Sequence, residues 1–172
     1  VTKPILDLTM STVSIVVVNH NTRDLLRDCL RSVREDAAGL PAQVIVVDNA
    51  SSDGSAEMVR AEFPDARLIE NAFNLGFSKA NNAGLRASSS PYALLLNSDA
   101  RLRPGAPRAM VAFMEAHPDV GVAGPQLLNP DGSLQLSCGI PPTPWTEACN
   151  KLLLHIPFPF FKMGDWSHDH VR

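Results

Sequence analysis

With 172 residues and an apolar share of 45%, the chain can build one globular domain with its own core, which excludes wholesale disorder. A net charge of −3 excludes a basic nucleic-acid footprint, although individual loops could still hold phosphate through backbone N–H groups. Three widely spaced cysteines, Cys29, Cys138 and Cys149, have no metal-ligand spacing and give no disulfide framework, which fits a reducing, cytoplasmic setting.

Residues 1–12 read as an N-terminal extension without the basic start and apolar run of a secretory signal. Val13–Val18 (VSIVVV) is β-branched and almost wholly apolar, as expected of a strand covered on both faces. Asn21 or Thr22 can cap the helix that follows, in which Leu25, Leu26, Cys29, Leu30 and Val33 recur at helical spacing; Cys29 reads as a buried thiol. Gln43–Val47 is a second strand, and Ser51-Ser52-Asp53-Gly54 is a cap cluster before a helix that Pro64 stops. Ala66–Ile69 is a short strand, Asn71–Gly76 a loop, Phe77–Ala87 a helix and Tyr92–Leu96 a fourth strand. Pro104 opens another helix that offers Met110, Val111, Phe113 and Met114 for packing, and Pro118 follows its end. Val120–Ala123 is expected to be a fifth strand. Gln126–Leu128 and Ser133–Leu136 then flank Asn129-Pro130-Asp131-Gly132, a hairpin signal.

Near Gly139 the compact pattern ends, and residues 140–172 form a proline-rich, partly helical tail with a short helix expected over Trp145–His155. Leu152–Met163 is apolar but cut by Pro157 and Pro159, and no run reaches the roughly 18–20 apolar residues of a membrane span. Contact with a membrane surface or a partner through this segment stays open. The strand–helix alternation predicts an α/β fold, with a mostly parallel sheet, helices on both faces, right-handed crossovers, a β-hairpin and an irregular tail.

In such sheets ligands bind beyond the carboxyl ends of the strands. Here those ends carry Asn19-His20-Asn21, Asp48-Asn49, Asn71–Gly76 and Asn97-Ser98-Asp99, all short polar side chains. Asp99 suits a hard divalent cation that takes one carboxylate and completes its shell with substrate phosphates; alternatively it caps the turn before Pro104. Asp48 could accept from a ribose hydroxyl or a base N–H, since Ser51, Ser52 and Asp53 are better placed to cap the next helix. His20 could meet a base or phosphate, but packing beside the helix start is favoured.

Five strings, SIVVVNHNTRDLLRDCLRSV, VIVVDNASSDGS, NAFNLGFSKANNAG, YALLLNSDARLRPGA and VGVAGPQLLNPDGSLQLSC, occur in order over Ser14–Cys138. In them the sequence resembles the family 2 glycosyltransferases of GT-A fold, in particular their rhamnosyltransferase-like branch. The resemblance implies an inverting, metal-dependent transferase that takes a dTDP- or UDP-sugar, rhamnose included. It implies nucleotide contacts at Asn19, Asn21, Asp48, Asn49, Asn74, Gly76, Phe77 and Asn97, with Asn81 or Asn82 supporting the ribose-diphosphate. It also implies Mg²⁺ or Mn²⁺ at Asp99 and a glycan or lipid-linked acceptor, beside the inner face of a membrane. Asn97 departs from the Asp-x-Asp signature by lacking the first charge.

The family's catalytic carboxylate lies downstream of the hairpin, and neither Asp165 nor Asp169 matches it. The chain is therefore expected to be an N-terminal piece that binds donor with little or no transfer. The alternatives are a non-catalytic binding or assembly module and a sugar nucleotidyltransferase. The latter, like a dinucleotide oxidoreductase, lacks its glycine-rich loop after the first strand. Sugar, linkage and oligomeric state are not indicated, although apolar surface near Leu152–Phe161 would promote association.

Overall fold

The computed structural model describes residues 13–36 and 39–135. Strand β1 (Val13–Asn19), helix α1 (Arg23–Asp36), β2 (Ala42–Asp48), α2 (Ser55–Glu62), β3 (Arg67–Glu70), α3 (Phe77–Ala87), β4 (Tyr92–Asn97) and α4 (Ala106–Ala116) follow in chain order. The strands form one parallel sheet in the order β3-β2-β1-β4. This is the α/β architecture expected from the alternation of β-branched runs and amphipathic stretches, with each strand ending within one residue of its sequence reading.

Central β1 is buried at every position except Val18, which explains its nearly unbroken apolar run. Alternate residues feed two cores. Ile15, Val17 and Val46 meet Leu26, Cys29, Leu30 and Val33 of α1, Met58 and Val59 of α2, and Val111 of α4. On the other face Val16, Ile45 and Val47 meet Ala80 of α3. Helices therefore cover both faces, but unequally. Small residues bring α3 close, and Gly84 is essential to that approach: a Cβ built there would stand 2.3 Å from Val16 Cγ1 and 3.3 Å from Val47 Cγ2.

The structure corrects four details. Val120–Ala123 is not a strand; Val122 is 90% exposed, and a four-residue run interrupted by Gly121 and followed by Gly124 finds no ladder partner among the described residues. Only Val111 and Pro107 of α4 are buried, while Phe113 stacks on His117 at 4.3 Å. Leu25 sits on the exposed side of α1 rather than in the core. The first N–H of α1 is capped neither by Asn21 nor by the Thr22 side chain; the Arg23 N–H donates to Asp53 Oδ2 at 2.8 Å. Asp53 Oδ1 also accepts from the N–H and hydroxyl of Ser55, so one carboxylate serves the starts of two helices.

The chain divides into two compact units between Pro125 and Gln126. In the second, the predicted hairpin shows, among the described residues, the antiparallel bridge of Leu128 with Leu134, with the Gln135 N–H donating to the Leu127 carbonyl, around a turn in which the Asn129 carbonyl accepts from Gly132 and the Ser133 N–H donates to Asp131. Among the described residues no helix is long and apolar enough to cross a membrane. The extension over residues 1–12, the boundary near Gly139 and the tail helix lie outside the described residues.

Replacing Gly84 by alanine gains helix propensity but drives a methyl into Val16. The clash outweighs the gain, and Gly84→Ala is expected to lose about 1–3 kcal/mol of stability. Denaturant unfolding of Gly84→Ala and of the Gly84→Ala/Val16→Ala pair checks this, with recovery in the pair attributing the loss to that contact.

Candidate functional site

The parallel register places Asn19 beside Asp48 and Val18 beside Asn97, so the loops after β1, β2 and β4 leave the sheet at one level. They enclose an open cleft of about 420 Å³, lined by Val18, His20, Thr22, Leu25, Asn49, Asn74, Gly76, Phe77, Asn97, Ser98 and Asp99. A smaller cavity of about 240 Å³ opens at the opposite end of the strands, between Leu30, Leu40, Ala42 and Phe63, away from these loops.

Of the residues singled out by sequence, Asn49, Asn74, Gly76, Phe77, Asn97 and Asp99 come together on this cleft. Asn19 and Asp48 lie beneath it, 0% and 3% exposed. Asp48 Oδ1 accepts from Asn19 Nδ2 at 3.0 Å and Oδ2 from the Ser51 N–H at 2.9 Å. Those bonds pin the β2–α2 turn, where Ala50 takes the left-handed conformation at φ 64°. Asn21, also left-handed at φ 55°, clamps the same turn by accepting from the Ser52 N–H and donating its own N–H to Ser51 Oγ. Asn81 donates within α3 to the Phe77 carbonyl, and Asn82 is exposed; neither lines the cleft.

Asn49 organises the next wall. Its Oδ1 accepts from Asn71 Nδ2 and the Leu75 N–H, both at 3.0 Å, and its Nδ2 donates to Asn74 Oδ1 at 2.7 Å. Asn74 Oδ1 also accepts from the Gly76 N–H, which sets the start of α3. Gly76 sits at φ 80°, ψ 162°, a conformation essentially reserved for glycine. Phe77, 61% exposed, and Leu25, 50% exposed, join Val18 as the apolar surfaces of the cleft.

His20, Thr22, Leu25 and Ser98 line the cleft without having been assigned to it from sequence. The His20 ring lies with Nδ1 at 2.9 Å from the Asn49 carbonyl, so Nδ1 carries a proton, and its Nε2 lies 3.4 Å from Asn21 Nδ2. Position directly after a strand was the available signal for His20 and Ser98; Thr22 and Leu25 belong to the helix start and looked like cap and core.

Asp99 is exposed and is the cleft's carboxylate. Among the described residues no group of three or more His, Cys, Asp or Glu side chains gathers around a common point. Asp99 is the one acidic side chain of the cleft among the described residues. Beneath this loop, Cys29 Sγ lies 3.6 Å from the Asn97 carbonyl. Burial pushes its thiol up to about 12, and the charge of Asp99 adds to the effect.

Similarity to known proteins agrees with this arrangement. The pattern of Glycosyl transferase family 2 matches residues 14–159. The chain belongs to glycosyl transferase family 2. It is 27% identical over 138 residues to an N-acetylglucosaminyl-diphospho-decaprenol L-rhamnosyltransferase of Mycobacterium tuberculosis, covering 74% of this chain and 44% of that protein. It is 37% identical over 108 residues to an N-acetylglucosaminyltransferase of Bradyrhizobium elkanii, covering 60% and 58%. The chain thus spans less than two thirds of either relative. Among solved structures, S. aureus TarS 1-349 in complex with UDP-GlcNAc superposes with a TM-score of 0.56 at 21% identity, over 62% of this chain and 32% of TarS. The mannosyltransferase PcManGT from Pyrobaculum calidifontis, in complex with GDP-Man and Mn²⁺, gives 0.51 at 26% identity over 59% and 31%. These neighbours carry the GT-A fold of the family.

Two expectations follow for this family member. Asn49→Ala removes the acceptor of the Leu75 N–H and the partner of two asparagines, and should cost about 1–3 kcal/mol. Hydrogen exchange should show lost protection at Leu75 and Gly76 while β1 amides stay protected; unchanged exchange at Leu75 would contradict the assigned role. For Cys29, a folded value above the ordinary 9.0 means the fold favours the protonated thiol. Its contribution is complete below pH 9.0 and is lost as pH rises towards about 12. Urea midpoints across that window should fall more steeply in the parent than in Cys29→Ala.

Proposed function

We propose that this chain is the donor-binding part of an inverting, metal-dependent glycosyltransferase that takes a UDP- or dTDP-sugar, rhamnose included. The observation that carries the reading is the exposed Asp99 carboxylate in a cleft whose other lining residues are amides, hydroxyls, His20, Gly76 and the apolar Val18, Leu25 and Phe77. A neutral wall accommodates an anionic ligand without repulsion, and a single carboxylate leaves most of a cation's coordination sphere to phosphate oxygens. The mycobacterial relative's name as a rhamnosyltransferase and the complexes of TarS with UDP-GlcNAc and of PcManGT with GDP-Man and Mn²⁺ support it.

The residues present fit Mg²⁺ or Mn²⁺: Asp99 would supply the charged oxygen and Asn97 a neutral amide oxygen. Such an ion neutralises charge on a departing nucleoside diphosphate. Phe77 and Leu25 offer apolar surface for a base, and Asn49, Asn74 and the Gly76 N–H region keep that surface in place. Asn19, Asn21 and Asp48 act from beneath, by holding the turns that carry the wall. The acceptor is a glycan or lipid-linked glycan, which would set the reaction beside a membrane; the relative's N-acetylglucosaminyl-diphospho-decaprenol acceptor is of that class.

A second reading, a non-catalytic sugar-nucleotide-binding module, rests on the cleft holding Asp99 as its lone carboxylate among the described residues. Transfer or donor hydrolysis by this chain would exclude it.

Calorimetric titration with UDP or dTDP is expected to show binding that Mn²⁺ strengthens. Asp99→Ala should weaken it at least about tenfold in Mn²⁺ and leave the metal-free affinity unchanged. Equal affinity of the variant and parent in Mn²⁺ would overturn the metal assignment.

A further inference from the structure

We infer that Ser98 Oγ is an obligate hydrogen-bond acceptor that reads a ribose hydroxyl of the bound nucleotide, and that Thr22 is the residue that makes it so. This deepens the donor-binding reading and rests on it.

The inference comes from following protons outward from Asp48. As a carboxylate, Asp48 only accepts, so the amide of Asn19 must turn its nitrogen towards it. The second Nδ2 hydrogen of Asn19 goes to Ser51 Oγ at 3.0 Å. Asn19 Oδ1 is thereby aimed the other way and accepts from Thr22 Oγ1 at 2.6 Å. A threonine hydroxyl has one hydrogen, and this bond takes it. The 2.9 Å contact between Thr22 Oγ1 and Ser98 Oγ can then run in one direction alone, with Ser98 donating. Ser98 has no hydrogen left for a ligand, only lone pairs, and it lines the cleft.

A buried carboxylate thus dictates, through three side chains, the polarity of an atom at the ligand surface. The partner of an acceptor-only hydroxyl is a ligand O–H or N–H. The sheet order decides which. Phe77, Asn49 and Asn74 stand on the β2–β3 side, whereas Asp99 follows β4. With the base on the first side and the diphosphate at Asp99, the ribose spans the middle, over β1, where Thr22 meets Ser98. Its hydroxyls are the hydrogen donors that such a path brings to Ser98.

The test measures coupling between a protein atom and a ligand atom. UDP, 2′-deoxy-UDP and 3′-deoxy-UDP are titrated in Mn²⁺ into the parent, Ser98→Ala, Thr22→Val and Thr22→Ser. The parent should bind one deoxy analogue roughly 3- to 10-fold more weakly than UDP, as expected for one neutral hydrogen bond. Ser98→Ala should bind UDP and that analogue equally. Thr22→Val frees the Ser98 hydrogen and should blunt the discrimination, while Thr22→Ser should restore it. A merely structural role for either residue would weaken all three nucleotides alike, leaving the ratio untouched, and would overturn the inference. So would a parent that binds all three equally, or a Ser98→Ala variant that changes Mn²⁺ dependence while keeping the discrimination, which would make Ser98 a cation ligand. A parent that binds none of the three sinks the donor-binding reading and this inference together, whereas binding without coupling sinks only the latter.

Discussion

The hydrogen bond between Asn19 and Asp48 is the contact on which the working end of this molecule depends. It joins the ends of two adjacent strands in a place almost without water, 0% and 3% exposed, where an unpaired amide or carboxylate would be costly. From it one branch runs through Ser51 to Asn21 and stabilises the left-handed Ala50 turn; the other runs through Thr22 to Ser98 and the Asp99 loop. Both loops are thereby set relative to the sheet before any ligand arrives. Every buried side-chain nitrogen and oxygen among the described residues has a partner, so the network is complete rather than half satisfied.

The sheet beneath this network is asymmetric, and the asymmetry has a packing cause. On one face α1, α2 and α4 bury large side chains against β1 and β2. On the other, α3 packs close on β1 and β2 through Ala80 and Gly84. The α3 side of β4 is left open: Ala93, Leu95 and Asn97 are exposed in alternation with half-buried Tyr92, Leu94 and Leu96, and Leu95 is 48% exposed. A period of two along β4 against an unbroken apolar run in β1 is the sequence imprint of that difference.

Most of the fold was therefore legible in hydrophobic period alone. Phe77–Ala87 has the same limits in sequence and structure, and the four strands match within one residue. The fifth strand failed because Val120–Ala123 has β-branched content but no partner among the described residues, and pairing is not a local property. The site was legible as a set of loops but not as a set of roles. Asn19, Asn21, Asn49, Asn74 and Asn97 are the same residue type after equivalent turns, yet the first two are load paths beneath or behind the wall and the others line it. Which amide faces in depends on hydrogen bonds spanning 25 residues or more, such as Asn49 with Asn74, and no short window carries that information. The same holds for Asp53, which looked like a cap for α2 and also caps α1, 30 residues earlier. Burial raises its carboxyl, but hydrogen bonds from Ser55 and from backbone N–H groups outweigh this and hold it below the usual range.

These distinctions explain why short polar side chains, rather than a glycine-rich loop, suit this cleft. A glycine loop offers backbone N–H groups and adapts to its ligand; a wall of asparagines, serines and threonines fixes each donor and acceptor through its neighbours. Side chains whose hydrogen-bonding capacity is engaged internally, Asn19, Asn49 and Asp48, are buried. Those with capacity to spare, the Asn97 amide and the Asp99 carboxylate, are exposed on the cleft. The Coulomb attraction of Asp99 for a cation then acts where no second carboxylate among the described residues lines the cleft. Under the proposed function, a preset wall with Asp99 on its β4 side would give an anionic ligand a direction in which to lie, with the cation beside that carboxylate.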